Sequence, residues 1–261
     1  MLQTKFTELL GCTVPLQQAG MGKVASPALA AAVADAGGLG MVSGIGAAPP
    51  EYVARILDGL RRSTSGAFGA NFIVDGVRET GKLDADFLKV LEVAASRAPV
   101  VEFFYEQPDR ELVEIAHAGD ALVSWQVGSG PEAMAAEEAG THPVYVDKLI
   151  AAEAKDTILT EAFSANWPNA PHRVLRSCVE AVERFQGEFV GETVQPWAPG
   201  VRVPVQTRAS FVADKTTTGE FDAMPLWAGE SVDGVKRIQK AGEIVRELAD
   251  EAERHLRKWG I

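Results

Sequence analysis

Residues able to meet a heterocyclic ligand gather at the ends of apolar runs in the first half of the chain. Gly20 and Gly22 flank Met21 just after the apolar run at residues 14–18. Glycine permits a tight turn and lets the backbone approach a ligand closely. On the residues alone, a plain turn with no ligand is the favoured reading. Asn71 stands inside Gly69-Ala70-Asn71-Phe72, and Gln126 inside Ser124-Trp125-Gln126-Val127-Gly128. A buried amide left without partners costs roughly 1–3 kcal/mol, so each must meet either backbone groups or a polar heterocycle. Both alternatives stay open. Gly37-Gly38-Leu39-Gly40 reads chiefly as a helix stop before a strand, and no G-x-G-x-x-G fingerprint follows the first apolar run.

The histidines identify no base. His117 and His255 lie in charged helical stretches and read as solvated, His142 sits between Thr141 and Pro143, and His172 follows Pro171. None stands beside a strand end in the first half, so spacing leaves the catalytic group unknown. Cys12 and Cys178 are too few for a disulfide framework or a metal site, and read as buried thiols.

The elements that must hold these residues alternate. Residues 14–18, 39–43, 68–74, 99–105 and 121–127 read as strands. Residues 28–36, 50–62, 84–97, a stretch ending near Ala118 and a segment from Pro131 read as helices. Ser26-Pro27 supplies an N-cap followed by proline at the first helical position. Strand–helix units of this length imply parallel strands with right-handed crossovers, as in a (β/α) barrel or a doubly wound sheet. Such folds place their sites at the strand ends where the glycines and amides gather.

The alternation stops near Gly140. Residues 144–154 read as a helix, 156–163 as extended, 171–185 as helical, 187–212 as turn-rich with short strands, and 233–259 as a long charged amphipathic helix. The expected organisation is a partial (β/α) barrel over residues 1–136, with a mainly helical and loop region over 137–261 packing on it.

Composition bounds the function. The chain has 261 residues, 46% hydrophobic, enough for a sizeable core. Its 36 acids against 25 bases give a net charge of -11, which disfavours a nucleic-acid surface. No uninterrupted apolar run approaches the roughly 18 residues needed to span a bilayer. Residues 1–10 lack the basic start and apolar run of a signal peptide. A soluble, cytoplasmic protein without a membrane partner is expected.

Pro15-Leu16-Gln17-Gln18-Ala19-Gly20-Met21-Gly22 and Ala36-Gly37-Gly38-Leu39-Gly40 resemble the opening of the nitronate monooxygenase (2-nitropropane dioxygenase) family. Gly69-Ala70-Asn71-Phe72 is similar to that family's third-strand motif, and residues 124–129 to its fifth strand. Residues 161–163, 171–176 and 224–232 resemble later family segments, the last of which returns over the flavin. The matches run in family order along nearly the whole chain. The resemblance implies a TIM barrel carrying FMN at the C-terminal strand ends, and oxidation of alkyl nitronates with O2. It implies cofactor contacts at Gly20, Met21, Gly22, Asn71, Gln126, Gly229 and Ser231. The family's sixth-to-eighth-strand stretch, with its catalytic Gly-Gly-His and phosphate-binding glycines, has no counterpart here, and the join falls near Ala136. An incomplete barrel of about five parallel strands is therefore expected, with weak or substoichiometric FMN and open sheet edges that favour self-association. Two other readings are a catalytically inactive remnant and another FMN barrel oxidoreductase such as an enoyl-acyl-carrier-protein reductase.

Overall fold

A computed structural model of the chain describes residues 3–79, 82–126, 158–169, 171–211, 213, 216–227 and 240–258. The chain divides into two units, one formed by Met1–Ala152 with Gln239–Ile261 and the other by Glu153–Ile238. The expected join near Ala136, the helices from Pro131 and over 144–154, and His142 lie outside the described residues.

In the first unit, α1 (Lys5–Leu10) precedes α2 (Pro27–Asp35), β1 (Gly40–Val42), α3 (Pro50–Ser63) and β2 (Phe68–Ile73). A short hairpin of β3 (Arg78–Glu79) and β4 (Lys82–Leu83) leads to α4 (Ala85–Ala95), β5 (Val100–Phe104), α5 (Arg110–Ala118) and β6 (Leu122–Gln126). The helices start where local chemistry satisfies their free N–H groups. Ser26 accepts from Leu29 N with Pro27 at N1, Asp84 accepts from Phe87 N, and Asp109 accepts from Glu111 N.

Strands β1, β2, β5 and β6 form one parallel sheet in that order. Four of the five expected strands are thus present as ladders. The first, expected at residues 14–18, is a single parallel bridge between Gln17 and Leu39. Leu39 N donates to Leu16 O and Gln18 N to Leu39 O. Beyond the bridge, a side chain takes over from the backbone. Gln18 Nε2 donates to Met41 O at 2.9 Å, and Met41 N donates to Gln18 Oε1 at 3.3 Å. The amide satisfies the edge of β1, and the main chain is released to turn through Gly20 and Gly22.

Residues in register on neighbouring strands share a face of the sheet. The rungs Ala70–Val101–Val123 and Phe72–Phe103–Trp125 face the helices and are buried. There Phe72 meets Phe87 of α4 edge-on at 5.7 Å, and Phe103 lies 4.8 Å from Trp125. The opposite face carries Gly69–Val100–Leu122, then Asn71–Glu102–Ser124, then Ile73–Phe104–Gln126 at the C-terminal rim. Phe6 of α1 packs with Met41 and Val100 at the lowest of these rungs. The apolar floor therefore lies at the strand N-termini, and polar side chains begin one rung above it.

The charged helix expected over 233–259 is described as α7 (Ala241–Lys258). It buries Val245 in a cluster with Val14 and Val33 of the same unit. None of the described helices is long and apolar enough to cross a membrane.

The second unit pairs β7 (Ile158–Thr160) antiparallel with β8 (His172–Val174), and continues through α6 (Arg176–Arg184). Strand β9 (Phe189–Val194) then pairs antiparallel with β10 (Arg202–Gln206) and β11 (Thr218–Gly219). Phe163, Val174, Cys178, Val182, Val190 and Met224 are at its core. The helix expected over 171–185 begins only at Arg176, because residues 172–174 bridge to β7 and Val174 bridges to Trp227.

Candidate functional site

The polar rung is organised by an acid inside an apolar strand. Glu102, in Val100-Val101-Glu102-Phe103-Phe104, is 8% exposed. Gln17 Nε2 donates to its Oε1 at 2.6 Å, and Asn71 Nδ2 donates to its Oε2 at 2.9 Å. Burial pushes the Glu102 carboxyl above its ordinary value, and the hydrogen bonds from Gln17 and Asn71 pull it back. A buried charge persists only when hydrogen bonds replace its lost water, and here each oxygen has one such bond.

Asn71 is held between this carboxylate and the Gly20 turn. A Cβ at position 20 would lie 2.3 Å from Asn71 Oδ1 and 2.5 Å from its Cγ. Only glycine lets the turn come this close. With Nδ2 committed to Glu102, Oδ1 faces the turn, and among the described residues nothing donates to it. Ser124, in register with Glu102 on the same face, is 1% exposed, and its Oγ has no partner among the described residues.

The turn itself is pinned. Ser43 Oγ donates to Gly22 O at 2.9 Å. Gly44, at φ 71°, sits against Gly22, where a Cβ on Gly44 would lie 3.2 Å from the Gly22 carbonyl carbon. Met21 is 38% exposed and Ile73 42%, leaving apolar surface at the sheet's C-terminal rim. Gln126 is exposed at the end of β6. After β5, Tyr105 and Glu106 adopt left-handed φ values of 70° and 55°, a conformation costing about 1–2 kcal/mol per residue. Trp125 Nε1 donates to Tyr105 O at 3.1 Å and helps hold that turn.

Of the sequence-derived cofactor residues, the structure brings together Gly20, Met21, Gly22 and Asn71, and places Gln126 on the same face of the sheet, one rung above Asn71 and two strands away. Gly229 and Ser231 lie outside the described residues. His117 is on α5 and His255 on α7, while His172 stacks beside Phe163 and Trp227 in the second unit. No described histidine lies on the parallel sheet. Sequence reasoning missed Glu102, although a charged residue flanked by four apolar ones was a signal comparable to Asn71.

The arrangement suits a planar heterocycle. Asn71 Oδ1 can accept from a ring N–H, the glycine turn admits close approach, and Met21 and Ile73 offer apolar surface. These residues could meet the edge of a ring that carries an N–H donor, as FMN does. Among the described residues no cluster could hold a metal ion.

Residues 3–152 match the family described as nitronate monooxygenase. A nitronate monooxygenase of Pseudomonas aeruginosa is 35% identical over 139 residues, covering 49% of this chain and 38% of that protein. A (3aS,4S,5R,7aS)-5-hydroxy-7a-methyl-1-oxo-octahydro-1H-indene-4-carboxyl-CoA dehydrogenase of Rhodococcus jostii is 30% identical over 145 residues, covering 56% of this chain and 38% of that protein. The match thus spans well under half the length of these curated relatives. Among solved structures, a FabK mutant from Thermotoga maritima superposes with a TM-score of 0.66 at 20% identity, covering 99% of this chain and 100% of that one. That likeness shows the fold, which with the parallel sheet is an incomplete α/β barrel.

Proposed function

The chain belongs to the nitronate monooxygenase family, and from that premise we propose that the polar rung and the Gly20–Gly22 turn receive the ring of FMN for the oxidation of small alkyl nitronates with O2. The observation that carries this reading is Asn71, an amide fixed by Glu102 with its oxygen turned toward a glycine that leaves it room. Asn71 Oδ1 accepts a ring N–H, and Gln126 offers a second amide at the end of β6. Met21 and Ile73 exclude water from the ring. Bound FMN supplies the electron acceptor for the substrate and the route onward to O2. The family's phosphate-binding glycines have no counterpart in the sequence, so the cofactor is held chiefly by its ring and binds weakly.

The family's catalytic Gly-Gly-His has no counterpart in the sequence, so the reading assigns the site to substrates that arrive already ionised. Removing general-base help typically lowers a rate by about 10²–10⁴-fold. Nitronates should therefore be turned over far faster than their parent nitroalkanes. The acidic composition and the lack of an apolar spanning run fit action in the cytoplasm.

The test is FMN titration of the purified protein, followed by oxygen uptake with nitroethane and with its pre-formed nitronate. Weak flavin binding with a marked nitronate preference supports the reading. Near-stoichiometric flavin with equal turnover of both forms would overturn the base and phosphate arguments. A protein that binds no flavin and consumes no oxygen is the inactive remnant.

A further inference from the structure

We propose that Glu102 is a positioning residue, gripping the amides of Gln17 and Asn71 so that the Asn71 carbonyl oxygen points away from it, toward the ligand. A carboxylate accepts and cannot donate. The end of each amide that faces it must therefore be the NH2, and Oδ1 must point away. Without that constraint an asparagine amide is nearly symmetric in shape and can offer either end. Fixed as an acceptor, Asn71 selects a ligand edge carrying an N–H donor, the chemistry of a heterocyclic imide such as the pyrimidine end of a flavin. The identity of that ligand rests on the flavin reading; the orientation of the amide does not.

Three observations converge on this role. Among the described residues Glu102 has no cationic partner, and each of its oxygens accepts from one of the two amides. Asn71 Oδ1 receives no hydrogen bond from any described residue, so its acceptor capacity is left for a ligand. The close approach of Gly20 leaves the amide little room to swing. Gln17 is only partly buried, whereas Asn71 is 6% exposed. A glutamine at position 102 would face two NH2 groups with a single acceptor. The half-buried Gln17 would turn its amide over, and Asn71 would keep its partner.

The experiment follows the Asn71 side-chain amide by 15N–1H NMR in the flavin-free full-length chain, with the peak assigned through Asn71→Ala. In the native protein, its protons should exchange slowly and shift as Glu102 takes up a proton. Glu102→Leu should speed that exchange at least about tenfold and abolish the pH-dependent shift, whereas Glu102→Gln should retain slow exchange. Where the leucine variant does not fold, Glu102→Asp withdraws the carboxylate by one methylene and should show the same loss. In parallel, FMN affinity should fall about tenfold or more in Glu102→Leu or Glu102→Asp and stay near native in Glu102→Gln. Equal exchange rates in the native protein and these two variants would overturn the proposal. So would a loss in Glu102→Gln as deep as in Glu102→Leu. Should the native protein take up no FMN, the flavin reading fails, while the amide exchange still decides the positioning.

Discussion

Adding one methyl group at position 20 tests the geometry most directly. A Cβ there would stand 2.3 Å from Asn71 Oδ1, 2.5 Å from Cγ and 3.0 Å from Nδ2, where ordinary contact begins at 3.4 Å. Either the turn or the amide must move by about 1 Å. The turn resists, because Ser43 Oγ holds Gly22 O and Gly44 packs against Gly22. The amide can yield only by stretching its 2.9 Å bond to Glu102 beyond hydrogen-bonding distance. A hydrogen bond to a charged group contributes about 1.5–3 kcal/mol, and that is the expected loss for Gly20→Ala. At roughly 2–4 °C per kcal/mol for a chain of this size, the melting temperature should fall by roughly 3–12 °C.

Asn71→Ala removes both the obstacle and the bond, so its own loss should be of similar size. In that background Gly20→Ala should then change stability by no more than about 0.5 kcal/mol. The coupling, read from urea denaturation of the native chain, both single variants and the double variant, should be about 1–2.5 kcal/mol in favour of the double variant. If Gly20→Ala costs the same in both backgrounds within about 0.5 kcal/mol, the contact with Asn71 is not what makes glycine necessary.

Burial raises the Glu102 carboxyl, so the folded chain keeps that proton to a higher pH than the unfolded chain does. The stability this contributes is fully present below the unfolded value near 4.5 and is lost as pH rises through the raised folded value; urea midpoints against pH should show that decline in the native protein and not in Glu102→Gln. Ser124 Oγ is buried without a described partner, so Ser124→Ala should leave the flavin-free protein as stable or slightly more so; a loss above about 1 kcal/mol in thermal melts would show that the hydroxyl is bonded after all. Among the described residues β6 pairs only with β5, and an open parallel edge invites pairing between chains, so light scattering should show mass rising with protein concentration; a monomer across the whole range would count against an accessible edge.

Periodicity and end signals made much of the first unit readable. The Ser26-Pro27 start signal, the helical stretch at 84–97 and the apolar runs around Met41, Ala70, Val101 and Val123 gave helices and strands within a few residues of their observed bounds. The misses have local causes. The run at 14–18 has strand composition, yet Gln18 competes with its own backbone for the edge of β1, so only a bridge forms. Helix α1 and the β3–β4 hairpin are too short to show a period. At residues 172–174 the chain carries helix-compatible residues, and antiparallel partners on β7 and at Trp227 draw it into a strand.

The site shows a different kind of limit. Asn71 is the fourth residue of β2, Glu102 the third of β5 and Ser124 the third of β6, and no spacing along the chain links them. Parallel register alone puts them side by side. Each interrupts an otherwise apolar strand, and such an interruption is unfavourable by itself, so each poses the same question of where its partners lie. Asked of Asn71 singly, the question has two answers, backbone or ligand. Asked of the strands together, it has one for the nitrogen and one for the oxygen: Glu102 accepts a hydrogen bond from Nδ2, and the oxygen is left facing the glycine turn. Aligning the polar interruptions of successive parallel strands would have brought Glu102 into the site from sequence, because a carboxylate in the next strand is the acceptor that a buried asparagine needs.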